Sequence, residues 1–94
     1  MRVEILILNE KFKTGIGRRS QEKYEMLTVR GADKSLPKEA RCKSILEITL
    51  AKEDNGYFGR LEDNTVTIDI LEIKGEFGGC VQASGKLYLP PENL

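Results

Sequence analysis

Histidine and tryptophan are absent from this 94-residue chain. Without histidine, the Ser–His–Asp and Cys–His arrangements of hydrolases cannot be built, and most zinc sites lose their commonest ligand. The two cysteines, Cys42 and Cys80, match no Cys-x-x-Cys spacing, and both are expected as free thiols in a reducing compartment. Long apolar stretches are missing too. The N-terminal run from Val3 to Leu8 is interrupted by Glu4 and is too short for a signal or a membrane span. Asp69 and Glu72 lie close together in sequence but have no base or nucleophile beside them. Enzymatic activity, a cofactor and a metal are therefore not expected, and the protein is read as cytoplasmic.

What is present suits one globular domain covering residues 1–94, with 39% hydrophobic and 32% charged residues. The formal net charge of zero hides a strong asymmetry. From Lys11 to Lys43, ten basic residues face four acids, whereas residues 44–94 hold four bases and nine acids. Such a distribution predicts a cationic face, or simply a solvated one.

Val3-Glu4-Ile5-Leu6-Ile7-Leu8 is rich in β-branched residues and predicts a buried strand. It is expected to bend near Asn9 and to continue through Lys11-Phe12-Lys13 into a basic hairpin marked by Gly15 and Gly17. Ser20 to Leu27 also admits a helix capped by Ser20, but Thr28-Val29 and the alternation favour a strand. Leu27 and Val29 share one face of it, so Tyr24, Met26, Thr28 and Arg30 share the other. A tyrosine and a methionine beside Arg18, Arg19, Lys23 and Arg30 combine a stacking surface with cations, the two ingredients of single-strand binding. An ordinary hairpin whose Tyr24 and Met26 cover a neighbouring loop is the other reading.

Further strands follow. Pro37 to Ala40 predicts one helical turn, and Cys42 to Leu50 alternates cleanly, with Leu46, Ile48 and Leu50 on one face. Lys52 to Arg60 reads as a loop turning at Asn55-Gly56, with one of Tyr57 and Phe58 packed inward and the other exposed. Thr65 to Leu71 is a strand with Val66, Ile68 and Ile70 inward. Lys74 to Gly79 makes a glycine-rich tip on which Phe77 needs a partner. A last strand runs through Val81 to Leu89, bent at Ser84-Gly85 and ended by Pro90-Pro91. Five short strands predict an all-β fold, a small antiparallel barrel of the oligonucleotide-binding (OB) type with a protruding hairpin wing.

Val3-Glu4-Ile5, the wing with Gln21-Glu22-Lys23-Tyr24, Ile48-Thr49-Leu50, Tyr57, the Phe77-Gly78 tip and the terminal Leu-Tyr-Leu-Pro occur in a familiar order. In these the chain resembles the gene-five-type, or helix-destabilising, single-stranded DNA-binding proteins of filamentous bacteriophages. The resemblance implies a homodimer that coats single-stranded DNA cooperatively, without strong sequence preference, during phage-type replication. It implies DNA contacts by Tyr24, Met26, Arg18, Arg19, Lys23 and Tyr57. Phe77 would reach across the dyad to DNA held by the other subunit, and Lys86 would match a basic residue of the final strand. The pattern departs at Glu47, where the family carries a lysine; Lys43, on the same strand face, would take its place. An RNA-binding translational repressor and a protein–protein adaptor are the alternative functions, because stacking and phosphate contacts serve RNA equally.

Overall fold

A computed structural model describes residues 2–34 and 45–89, without the side chains of Phe77 and Leu89. The helical turn predicted at Pro37 to Ala40 and the positions of Cys42 and Lys43 lie outside the described residues. The strands are β1 (Arg2–Ile16), β2 (Lys23–Asp33), β3 (Ile45–Leu50), β4 (Thr65–Phe77) and β5 (Cys80–Leu89). They form one sheet that closes on itself in the order β1-β2-β3-β5-β4. A 3-10 helix, Lys52–Tyr57, occupies the first part of the stretch read as a plain loop, so Asn55-Gly56 lies within a helical turn. Lys23 onward is strand, so the helical alternative for Ser20 to Leu27 does not hold.

One expectation is corrected. The sheet is mixed, because β3 and β5 run parallel from Ile45↔Cys80 to Leu50↔Gly85. The reason is parity. Strand directions can alternate all the way around a closed ring only when the number of strands is even. With five, and with β1–β2, β2–β3, β1–β4 and β4–β5 antiparallel, the remaining pair must be parallel.

The inward side chains follow the alternation. Ile5, Ile7, Leu27, Val29, Ile48, Leu50, Val66, Ile68, Ile70 and Ala83 form one buried cluster, with Leu61 added from the connection before β4. Tyr57 and Phe12 are partly buried against it. The turn between β4 and β5 is two residues, Gly78 and Gly79, both at positive φ (59° and 83°). That conformation matches the twist of paired strands and favours glycine.

β1 carries a bulge. Ile7 pairs with Gly31 and Asn9 with Arg30, so Leu8 has no partner on β2. An unpaired extra residue reverses which positions face inward. Before it Ile5 and Ile7 are buried; after it Glu10 and Phe12 are the sheltered positions, and Lys11 and Lys13 are exposed. The Glu10 carboxylate accepts the backbone N–H groups of Gly59, of Leu61 at 2.9 Å and of Glu62 at 2.8 Å. Ile7 adds two backbone bonds to the same stretch: its N–H donates to the Asn64 carbonyl (2.9 Å), and its carbonyl accepts from Asp63 N–H (2.8 Å). The bulge and the 59–64 connection thus fix each other, and the buried Leu61 hangs on that junction.

A second carboxylate ties the 3-10 helix to β5. Buried Asp54 accepts the Leu87 N–H at 2.9 Å. Burial pushes its pKa above the usual aspartate value, and the Leu87 bond pulls the other way.

Glu10→Ala removes three charge-assisted bonds at the bulge and is expected to lower the unfolding free energy by about 2 kcal/mol. Urea denaturation measures this, and an unchanged midpoint would show that the junction carries no stability.

Candidate nucleic-acid interface

Beyond the ring, β1 and β2 continue as a hairpin. β1 pairs with β4 only from Arg2 to Leu6, and β2 with β3 only from Thr28 to Ala32. Among the described residues, 10–16 and 23–27 of the two strands therefore have only each other as strand partners, and they form the wing. Its loop closes on itself. Gly17 N–H donates to the Glu22 carbonyl at 2.9 Å, Gln21 N–H to the Gly17 carbonyl at 3.0 Å, and Gln21 Nε2 to the Arg18 carbonyl at 3.2 Å. Arg18 and Arg19 stand exposed in that loop.

Cross-strand register assembles the outer face below the loop. Tyr24 sits opposite Gly15, Met26 opposite Lys13, Thr28 opposite Lys11, and Arg30 opposite Asn9. β3 extends the last two rungs, with Thr49 beside Thr28 and Glu47 beside Arg30. These side chains enclose a groove of about 360 Å³ lined by Asn9, Lys11, Lys13, Met26, Thr28, Arg30, Glu47 and Thr49. Arg30 Nε donates to Glu47 Oε2 at 2.8 Å, and that ion pair closes the β3 end of the groove.

Tyr24 borders the groove and is 42% exposed. Its ring lies over Gly15: a Cβ at that position would stand 2.5 Å from the hydroxyl oxygen and 2.6–2.8 Å from two ring carbons. A strand glycine opposite an aromatic lets the ring cover the backbone and leaves its other side to solvent.

The remaining sequence-predicted residues scatter. Lys23 falls on the opposite face of the wing from Tyr24 and pairs with Glu25 at 3.7 Å. Tyr57 is partly buried against the core, while its neighbour Phe58 is exposed and meets Phe12 edge-on at 5.3 Å. Phe77 ends β4 beside the Gly78-Gly79 turn. Lys86 is on β5, two strands from β2 around the ring, opposite Asp69. Near it the Arg2 guanidinium stacks 3.7 Å above the Tyr88 ring. Lys43 lies outside the described residues. Six groove residues are not among the site residues read from sequence: Lys11 and Lys13, whose exposure follows from the bulge at Leu8, and Asn9, Thr28, Glu47 and Thr49.

Among the described residues, no three Cys, Asp or Glu side chains gather in a way that would hold a metal ion. Among them, too, no helix is long and apolar enough to cross a membrane.

Gly15→Ala is expected to push the Tyr24 ring off the strand while the sheet persists. In nuclear Overhauser spectra the contacts between the Tyr24 ring and residue 15 should disappear, with the β1–β2 amide contacts retained; an undisturbed ring would contradict the packing described. Comparison of the chain with protein-family models, with curated proteins and with solved structures finds no match.

Proposed function

We propose that this chain is a single-stranded DNA-binding protein of the gene-five type, which coats the strand cooperatively and with little regard to sequence. The observation that carries this reading is the shared outer face of β1 and β2, where Tyr24 and Met26 stand in line with Lys11, Lys13 and Arg30. The lysines there neutralise the backbone phosphates, and bases stack on the open side of the tyrosine ring. Stacking of this kind is worth about 1–3 kcal/mol per base and tolerates every base, because each has a π-face. Duplex DNA keeps its base faces covered, so preference for a single strand follows from the same chemistry.

The strand order supports the reading at the level of architecture. A closed five-stranded ring with a parallel β3–β5 pair is compatible with the OB type of barrel, many of which take oligonucleotides on one face. In this reading the protein is a homodimer acting in the cytoplasm. β4 beyond Asp69 has β5 on one side and no strand on the other among the described residues. Leu71 and Ile73 are exposed along it, at 61% and 58%. An open edge with apolar side chains is a ready contact for a second copy. It leads to the Phe77 tip, which would then lie near the dyad.

The test is a titration with single-stranded DNA, matched RNA and matched duplex at two salt concentrations, read by tyrosine fluorescence. Binding should be tightest for a single strand and should weaken with salt. Tyr24→Ala should weaken it by about 1–3 kcal/mol without unfolding the protein. Equal affinity for duplex and single strand would defeat the stacking mechanism, and failure to bind any of the three nucleic acids would leave the protein-adaptor reading instead. Tighter binding of RNA than of DNA would transfer the reading to an RNA-binding repressor.

A further inference from the structure

We infer that Lys11 and Lys13 seat consecutive phosphates of the bound strand in the β1–β3 groove, and that Glu47 ends this phosphate path by neutralising Arg30. The inference rests on the proposed single-strand binding and assigns its polarity along the groove.

The geometry distinguishes the three cations. Lys11 and Lys13 are exposed on the same face of β1, and neither forms an ion pair among the described residues. Two residues apart on a strand, they are separated by about 7 Å, a spacing suited to successive phosphates of an extended chain. Arg30 is the third cation of the groove, yet its guanidinium is already held by Glu47 at 2.8 Å. The Arg30 side chain is 57% exposed and that of Glu47 23%, so the carboxylate is the more sheltered partner, and both line the groove.

The groove is consequently polarised. Along β1 it carries two positive charges with no ion pair among the described residues, Lys13 opposite Met26 and Lys11 opposite Thr28; its far end is a neutral pair whose carboxylate repels a phosphate. A strand laid along it has phosphates over β1 and bases toward Tyr24, and is turned away before it crosses β3. Glu47 thereby tunes affinity downward. An exposed ion pair stabilises the fold little, so its main consequence here is the loss of one phosphate site.

Salt titration with oligo-dT separates the roles, because each phosphate neutralised on a single strand adds about 0.7 to the slope of log K against log salt. Lys11→Gln and Lys13→Gln should each make the slope shallower by about 0.7. Glu47→Gln should tighten binding and steepen the slope by about the same 0.7, since it releases Arg30. The double substitution Arg30→Gln with Glu47→Gln removes a neutral pair and should leave the slope of the unaltered protein. If the unaltered protein binds but Glu47→Gln changes neither affinity nor slope, or both lysine variants keep the original slope, this assignment is overturned while the function stands. No salt-sensitive binding by the unaltered protein overturns both.

Discussion

Which side chains the outer surface presents depends on a single unpaired residue. Leu8 has no partner on β2, and because side chains alternate along a strand, that one insertion exchanges the two faces of everything after it. Lys11 and Lys13 turn outward and Phe12 turns toward the core. The exchange is held by Glu10, whose carboxylate occupies an inward position yet finds three backbone donors at Gly59, Leu61 and Glu62. A sheltered carboxylate is tolerable only when it is bonded in this way. Fold and surface are thus coupled at one point: the same junction brings Leu61 into the core and sets the cations beside Tyr24.

The ring itself imposes a second constraint. Five strands cannot alternate around a closed sheet, so one parallel pair is unavoidable, and it falls where β3 meets β5. Neither long hairpin is fully enclosed by its neighbours. The β1–β2 hairpin outruns its pairing with β4 and β3, and β4 outruns its pairing with β1. One projection carries cations and a tyrosine, the other exposed leucine and isoleucine. The two projections present different chemistry, which suits the proposed single strand at one and the proposed second copy of the chain at the other.

Much of this was legible in the residues, and the parts that were not have identifiable causes. Alternation alone set Leu27 and Val29 inside and Tyr24, Met26 and Arg30 outside, because a half-buried strand leaves a period of two. The same rule assigns Lys23 and Glu25 to the other face, so the grouping of Lys23 with Arg18 and Arg19 rests on nearness in sequence and not on alternation. The bulge was hidden because Leu8 is as apolar as the residues before it, so the extra position looks like one more core residue. A bend near Asn9 was visible; its effect on Lys11 and Lys13 was not. The hold of Glu10 on residues 59–62 spans about fifty positions and leaves no local mark. Of the two aromatics after the Asn55-Gly56 turn, one was expected inside, and the 3-10 helix makes it Tyr57.

The most direct measurement is a backbone and side-chain NMR map of the protein as oligo-dT is added. The account predicts that the resonances that move lie on the outer face of β1 and β2, at Lys11, Lys13, Tyr24, Met26 and Thr28, with the Glu10 junction undisturbed. Perturbations confined to β4 and β5, with that face silent, would contradict it.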